Sequence, residues 1–273
     1  KFFVWLLCAF RRWLYSKQEV GAIAATINSS SRLARGKDLP NKPRNSLRLV
    51  LISDTHGYHR SIKELPKGDI LIHCGDLLYE SSAAEFDDSL RTIEDVDEWL
   101  GTFDFQHTLV IGGNHDTFLE RLGSVASKEL FHNATYLCDE SWTSPEGLVV
   151  YGTPYSLANS AASPNKAFQE LRDSKQAESA VAAIPECDIL VTHGPAAGYG
   201  DDPGRGMIGC SYLASHIKRI RPLLHCCGHV HQAHSVSHKD GVTYANASVA
   251  DILYCLRNPP VVFTFPVELL LSR

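Results

Sequence analysis

The chain lacks any apolar run of the ~18–20 residues that a membrane-spanning helix requires, which excludes an α-helical integral membrane domain. It has one Met, and that residue does not open the chain, as expected of a processed chain or a fragment. None of its eight cysteines forms a C-x-x-C, and Cys226 and Cys227 are adjacent, a pair that bridges only under strain. Several lie in apolar runs, so they read as reduced, buried thiols acting as small hydrophobes. That points to a cytoplasmic protein. Positive charge is also in short supply: 26 Lys+Arg face 31 Asp+Glu, a net −5. Residues 1–48 hold ten of the basic and two of the acidic residues, leaving net −13 for the remainder. An acidic body repels nucleic acid and attracts cations, so no nucleic-acid partner is expected. With 44% hydrophobic and 21% charged residues, the chain is neither disordered, collagenous nor a coiled coil.

The basic residues define a leader, residues 1–46, ahead of a folded body, residues 47–273. Phe2 to Phe10 is apolar and is followed by Arg11-Arg12-Trp13. Charge placed after the apolar run, with no clear small-residue cleavage site, fits a secretory signal poorly. Three readings stay open: an organelle transit segment, the tail of a membrane anchor that brings residues 1–15 to a bilayer, or a flexible leader with no address. Pro40-Asn41-Lys42-Pro43 reads as the linker into the body.

From Leu47 onward, short β-branched or Leu-rich runs end abruptly in polar tips. Residues 48–52 lead into Asp54-Thr55-His56-Gly57, and residues 69–72 into Gly75-Asp76. Residues 107–111 lead into Gly112-Gly113-Asn114-His115-Asp116, residues 188–191 into Thr192-His193-Gly194, and residues 223–227 into Gly228-His229-Val230-His231. Near-continuous apolar runs are typical of strands covered on both faces. Between them, Ser82-Ala83-Ala84-Glu85 is a capping box opening a helix that stops at Gly101, and residues 165–184 and 212–220 also read as helices. Strands alternating with helices form an α/β sheet that binds ligands beyond the carboxyl ends of its strands, so the five tips should meet at one edge. Later strands over residues 147–151, 242–246 and 261–265 suggest a second sheet packed on the first.

A lone Asp-x-His or Gly-Asp carries little information, but five tips together do. His229 and His231, two apart in extended backbone, would face the same way. The tips offer carboxylates, imidazoles and one amide oxygen, and no thiolate. Such a set suits Mn²⁺, Fe or Zn²⁺ in five- or six-coordinate sites. Seven ligands are too many for one ion and suit two divalent transition-metal ions sharing a carboxylate. Such a pair clamps an in-line displacement and acidifies water, and a phosphoryl centre is its natural target.

Asp54-Thr55-His56, Gly75-Asp76, Gly113-Asn114-His115-Asp116, His193-Gly194 and Gly228-His229-Val230-His231 resemble, in order and without a gap, the five-motif signature of the calcineurin-like metallophosphoesterases. The text between them, including Tyr151-Gly152-Thr153-Pro154-Tyr155 and Asn246-Ala247-Ser248, is similar to the branch of small metallophosphoesterase-domain-containing proteins. The resemblance covers roughly residues 47–266. It implies a four-layer α/β/β/α sandwich of two mixed sheets. It places one metal on Asp54, His56 and His231 and a second on Asn114, His193 and His229, with Asp76 bridging. It also implies a metal-bridging hydroxide as nucleophile, His115 donating a proton to the leaving oxygen or stabilising it, and Asp116 orienting the His115 ring. Some members of the branch lack a second-site histidine and are weak enzymes, whereas this chain keeps His229. The expected substrate is a small phosphate ester, a diester on the strength of the branch resemblance. The alternatives are a phosphomonoesterase or a non-catalytic scaffold.

Other features carry less. His59 reads as solvent-facing, His73 and His225 as packed or hydrogen-bonded within strands, and His234 and His238 as lying on a solvated turn. The glycine-rich stretch 198–206 reads as a surface loop or as a phosphate cover with Arg205 as clamp. Asn246 ends a buried strand, which discounts its glycosylation sequon.

Overall fold

The computed structural model describes residues 22–26, 32–36, 39, 41–79, 86–158, 165–204 and 206–270. The capping box at 82–85, Arg205 and most of the leader lie outside the described residues. The first sheet has the order β2-β1-β15-β3-β4-β5-β6, built from β1 (Ala22–Thr26), β2 (Arg32–Gly36), β3 (Ser46–Ile52), β4 (Ile70–His73), β5 (His107–Val110), β6 (Thr135–Tyr136) and β15 (Val261–Pro266). The second has the order β13-β14-β12-β11-β8-β7, from β7 (Glu140–Thr143), β8 (Val149–Thr153), β11 (Ile189–Thr192), β12 (Leu224–Cys227), β13 (Ser235–Lys239) and β14 (Val242–Asn246). A two-stranded pair joins β9 (Ser156–Leu157) to β10 (Gln169–Glu170). Parallel cores carry antiparallel members in both sheets: β15 runs against β3, β7 against β8 and β13 against β14.

Strand alternation distributes the core into three interfaces. Leu49, Leu51, Ile70, Ile72, Val191, Cys226 and Phe263 fill the space between the sheets. Val50, Ile52, Leu71 and Val262, on the opposite face of the first sheet, pack against Ile93, Val96, Trp99 and Leu100 of the Phe86–Leu100 helix. Leu190 and Tyr244, on the outer face of the second sheet, meet Val181 of the Lys175–Ala182 helix and Leu213 and Ile217 of the Ser211–Ile220 helix. Helix, sheet, sheet, helix is the four-layer sandwich.

Several element assignments need correction. Residues 188–191 and 223–227, expected in the first sheet, contribute β11 and β12 of the second, and residues 22–26 and 32–36, expected in the leader, pair into the first sheet as β1 and β2. Residues 261–265 do not join the second sheet; β15 is an interior strand of the first, between β1 and β3. Its alternation fits either sheet, and the choice rests on long-range pairing that local sequence does not encode. Nor is 165–184 one helix. The backbone of Phe168 and Glu170 is taken by β9, through Ser156 N–H to Phe168 O and Ala158 N–H to Glu170 O. Phe168 and Asp173 adopt φ of 55° and 58°, outside helical space. The helix starts only at Lys175, where the Ser174 hydroxyl caps Ala177 N–H.

Phe263 is fully buried between the sheets. Phe263→Ala should cost about 3–5 kcal/mol, read as a lowered denaturant midpoint with an unchanged slope. A loss below about 1 kcal/mol would contradict its place in the central interface.

Candidate metal centre

The parallel strands of both sheets end at the same edge, and the tips that follow are tied to one another. Asp54 N–H donates to Gly75 O, His56 N–H to Asp76 O, and Gly228 N–H to His193 O. Ser53 forms an isolated bridge to Ser248, joining the two sheets beside the site. Asp54, His56, Asp76 and His229 have φ of 60°, 46°, 55° and 68°. Four non-glycine residues in left-handed backbone at one place indicate turns selected for where they aim a side chain. Two glycines allow the close approach. A Cβ on Gly113 would lie 2.4 Å from Asp76 N and Oδ1, and one on Gly228 2.0 Å from Ser53 Oγ and 2.3 Å from Asp54 Oδ2.

The predicted ligands converge in two groups. In the first, His231 Nε2 lies 3.3 Å from Asp54 Oδ1 and 3.1 Å from His56 Nε2. In the second, Asn114 Oδ1 lies 3.0 Å from His193 Nε2 and 2.7 Å from His229 Nδ1, and those two nitrogens are 3.2 Å apart. Asp76 stands between the groups, Oδ2 facing His56 Nε2 at 3.7 Å and Oδ1 facing His193 Nε2 at 3.4 Å. Donor atoms bound ~2.0–2.1 Å from one ion in adjacent positions are about 3 Å apart, so each group has ligand spacing.

The imidazoles are oriented for metal. His56 Nδ1 faces Leu78 O at 3.2 Å, His193 Nδ1 faces Cys74 O at 2.9 Å, and His231 Nδ1 faces Asp251 O at 3.0 Å. A carbonyl only accepts, so each Nδ1 carries hydrogen and turns its Nε2 toward the centre, as ligating histidines do. The carboxylates are fixed by backbone donors, His229 N–H on Asp54 and His115 N–H on Asp76 Oδ1.

Electrostatics reinforce the division. Burial opposes the charge of Asp54, but the hydrogen bond and charge of His231 and the charge of His193 hold its carboxyl below the usual range. Burial likewise opposes Asp76, yet His193, His115 and His56 draw it well down. Burial pulls His56 and His229 down to about 3, so both are neutral ligands at physiological pH. For His193, the Asp76 charge and hydrogen bond override burial and raise it to about 9.

All seven predicted ligands are therefore together, with His115 beside them, its ring centroid 4.6 Å from that of His56. Asp116 is close but does something else. Its carboxylate accepts from Leu77, Leu78 and Gly113 N–H at 2.7–3.2 Å, bracing the second and third tips, and His115 Nδ1 has no hydrogen-bond partner among the described residues. The family resemblance implies that Asp116 orients the His115 ring; the turn geometry instead commits its carboxylate to these backbone groups. Nor is Gly228–His231 extended: the turn sends His229 to one ligand group and His231 to the other.

Sequence reading missed Asn165, whose Nδ2 is 3.0 Å from His115 Nε2, and Tyr254, whose ring lies 4.8–6.0 Å from those of His56, His231 and His115. Neither follows a strand, the signal that located the others. His59 is buried, not solvent-facing, with Nε2 2.8 Å from Asp95. His73 and His225 contact Thr55 and Thr192 within their strands, as expected. His234 faces Pro259 O, and His238 lies in β13 rather than on a turn. Asp201 ties the 198–206 loop down by accepting from Gly198 and Gly209 N–H.

Because His193 in the metal-free protein holds a proton up to about pH 9, a cation at its Nε2 must displace that proton. Apparent affinity for Mn²⁺ or Zn²⁺ should rise with pH below about 9, by about tenfold per unit from His193 and more steeply where His231, raised by Asp54, is also protonated. A competition titration against a chelator, corrected for its own protonation, checks this; affinity flat with pH would contradict it.

The model of the calcineurin-like phosphoesterase family matches residues 47–233. The chain is 32% identical over 254 residues to human metallophosphoesterase domain-containing protein 1, spanning 82% of this chain and 73% of that protein. It is 31% identical over 244 residues to a UPF0046 protein of Caenorhabditis elegans, spanning 82% of each. The solved structure of TT1561 from Thermus thermophilus shares the fold, with TM-score 0.52 and 15% identity over 81% of this chain and 99% of that one. Five ordered motifs, two packed sheets and a cluster of metal-competent side chains at their shared edge agree with this kinship, and the chain belongs to the calcineurin-like phosphoesterases, a metal-dependent family acting on phosphoester bonds.

Proposed function

We propose that the protein is a dinuclear metal-dependent phosphodiesterase. The observation that carries this reading is the position of Asp76, whose two oxygens face different ligand groups. Asp54, His56 and His231 would hold one divalent cation, Asn114, His193 and His229 the other, and Asp76 would be shared. Bound there, Mn, Fe or Zn ions would neutralise phosphoryl charge and acidify water to supply the nucleophile.

The protein's own groups do the rest. His56 and His229, neutral through burial, leave the cations' charge uncompensated for use on the ester. His115 shares a donor cluster with His56 and Asp76, so proximity alone admits it as a ligand. Its Nε2, however, is engaged by Asn165 and its backbone N–H by Asp76, which favours a hydrogen-bond donor that stabilises the leaving oxygen over a ligand. Diester preference draws support from the rim. The rings packed against His56 and His115 are Tyr79 and Tyr254, and the amide is Asn165, all uncharged. A diester monoanion asks for less positive charge than a monoester dianion and brings a second arm that tyrosines can contact.

Protein reconstituted with Mn²⁺ should hydrolyse an aryl phosphodiester faster than the matching monoester. The reverse order would make it a monoesterase, and no turnover of either would make it a scaffold. His115→Ala should lower kcat by about 10²–10⁴ with metal content retained; loss of metal would make His115 a ligand. Asp76→Asn should lose both ions by elemental analysis, and retention of a full ion would argue against sharing.

A further inference from the structure

The stretch after β9 lies across the tip that carries Asn114 and His115. Ala167 N–H donates to Asn114 O, Phe168 N–H donates to Glu120 Oε1, and the Asn114 side-chain amide reaches Asn165 O at 3.4 Å. The Phe168 ring lies so close over Gly112 that a Cβ there would be 2.8 Å from it. These contacts fix the backbone at residue 165 against the tip, and the Asn165 side chain uses that placement: Nδ2 stands 3.0 Å from His115 Nε2. An amide nitrogen only donates, so the ring nitrogen that receives it is the one without hydrogen. His115 Nδ1 is buried and has no hydrogen-bond partner among the described residues.

We propose that Asn165 is a positioning residue for His115: its amide N–H occupies Nε2, fixes the ring angle, and keeps the neutral ring's hydrogen on Nδ1, the nitrogen left to serve the leaving oxygen. This deepens the phosphodiesterase reading and rests on it for the identity of that oxygen. It also gives His115 the orienting partner that Asp116, committed to three backbone N–H groups, does not supply. The balance is simple: water's oxygen bonds to phosphorus as the ester P–O bond breaks, the electron pair of that bond stays on the leaving oxygen, which ends with a proton from the water, and the Nδ1–H steadies that oxygen by a hydrogen bond without leaving the ring.

Two measurements test this. Long-range ¹H–¹⁵N correlation of the Zn²⁺-loaded protein, with His115 assigned by comparison with His115→Gln, should show the Nδ1–H form. Asn165→Ala should move it toward a mixture with Nε2–H. This readout does not depend on turnover, so it decides the role of Asn165 even if the wild type is inert, an outcome that would overturn the phosphodiesterase reading instead. In an active enzyme, help to the leaving group matters most when that group is a poor one. Asn165→Ala should therefore lower kcat at least tenfold on a phenyl ester and less than threefold on a 4-nitrophenyl ester, with KM and metal content unchanged. Asn165→Asp, equal in size but with no N–H to give, should behave like Asn165→Ala and guards against a packing effect. Adding Asn165→Ala to His115→Ala should cost nothing further. An Nε2–H ring in the wild type, equal losses on both esters, or loss of metal in Asn165→Ala would each overturn the proposal.

Discussion

The structure turns on the crowding of electron-rich atoms at one edge of two sheets. Asp54, Asp76, Asn114 and four imidazoles bring their donor atoms to within about 3–4 Å of one another in a buried place. Burying such charged groups away from water is costly unless each is paired and hydrogen-bonded. The surrounding architecture counters this. Backbone N–H groups from His115 and His229 hold the carboxylates, and left-handed turns aim the side chains inward. Carbonyls of Cys74, Leu78 and Asp251 fix which face each imidazole presents. The same arrangement makes the cluster a candidate metal-binding group.

Support for the site comes from neighbouring tips as much as from the strands. Asp116 spends its carboxylate on backbone N–H groups, with no hydrogen bond to His115 among the described residues. Burial and the nearby charge of Asp76 push its carboxyl up, while three backbone N–H groups favour the ionised form, and those bonds knit the tips together. Asn246, ending β14, plays a similar part through Gly200 O and Val230 O, anchoring the loop that carries His229 and His231. An account of the centre restricted to its seven ligands would miss the residues that set their angles.

Much of this is legible in the sequence because strand ends are local features. An apolar run stopped by Gly, Asp or His marks both the strand and the direction of its tip, so Asp54, Asp76, Asn114, His193 and His229 could be assembled before any fold was known. Contacts across the chain leave no such mark. Asn165 reaches His115 only because β9 pairs with β10 and diverts a helix-like stretch, and the pattern of β15 fits either sheet. Spacing also misleads where the backbone turns: His229 and His231 look like an extended pair and Asp116 like a partner of His115, yet positive φ at His229 and the turn after His115 send the side chains elsewhere.

Anomalous diffraction from crystals of the protein equilibrated with Mn²⁺ tests the sharing of Asp76 most directly. Two peaks about 3.5–4 Å apart, one beside Asp54, His56 and His231 and the other beside Asn114, His193 and His229, with the Asp76 carboxylate touching both, are the result the account predicts. A single peak, or two ions with Asp76 bound to only one, would contradict it.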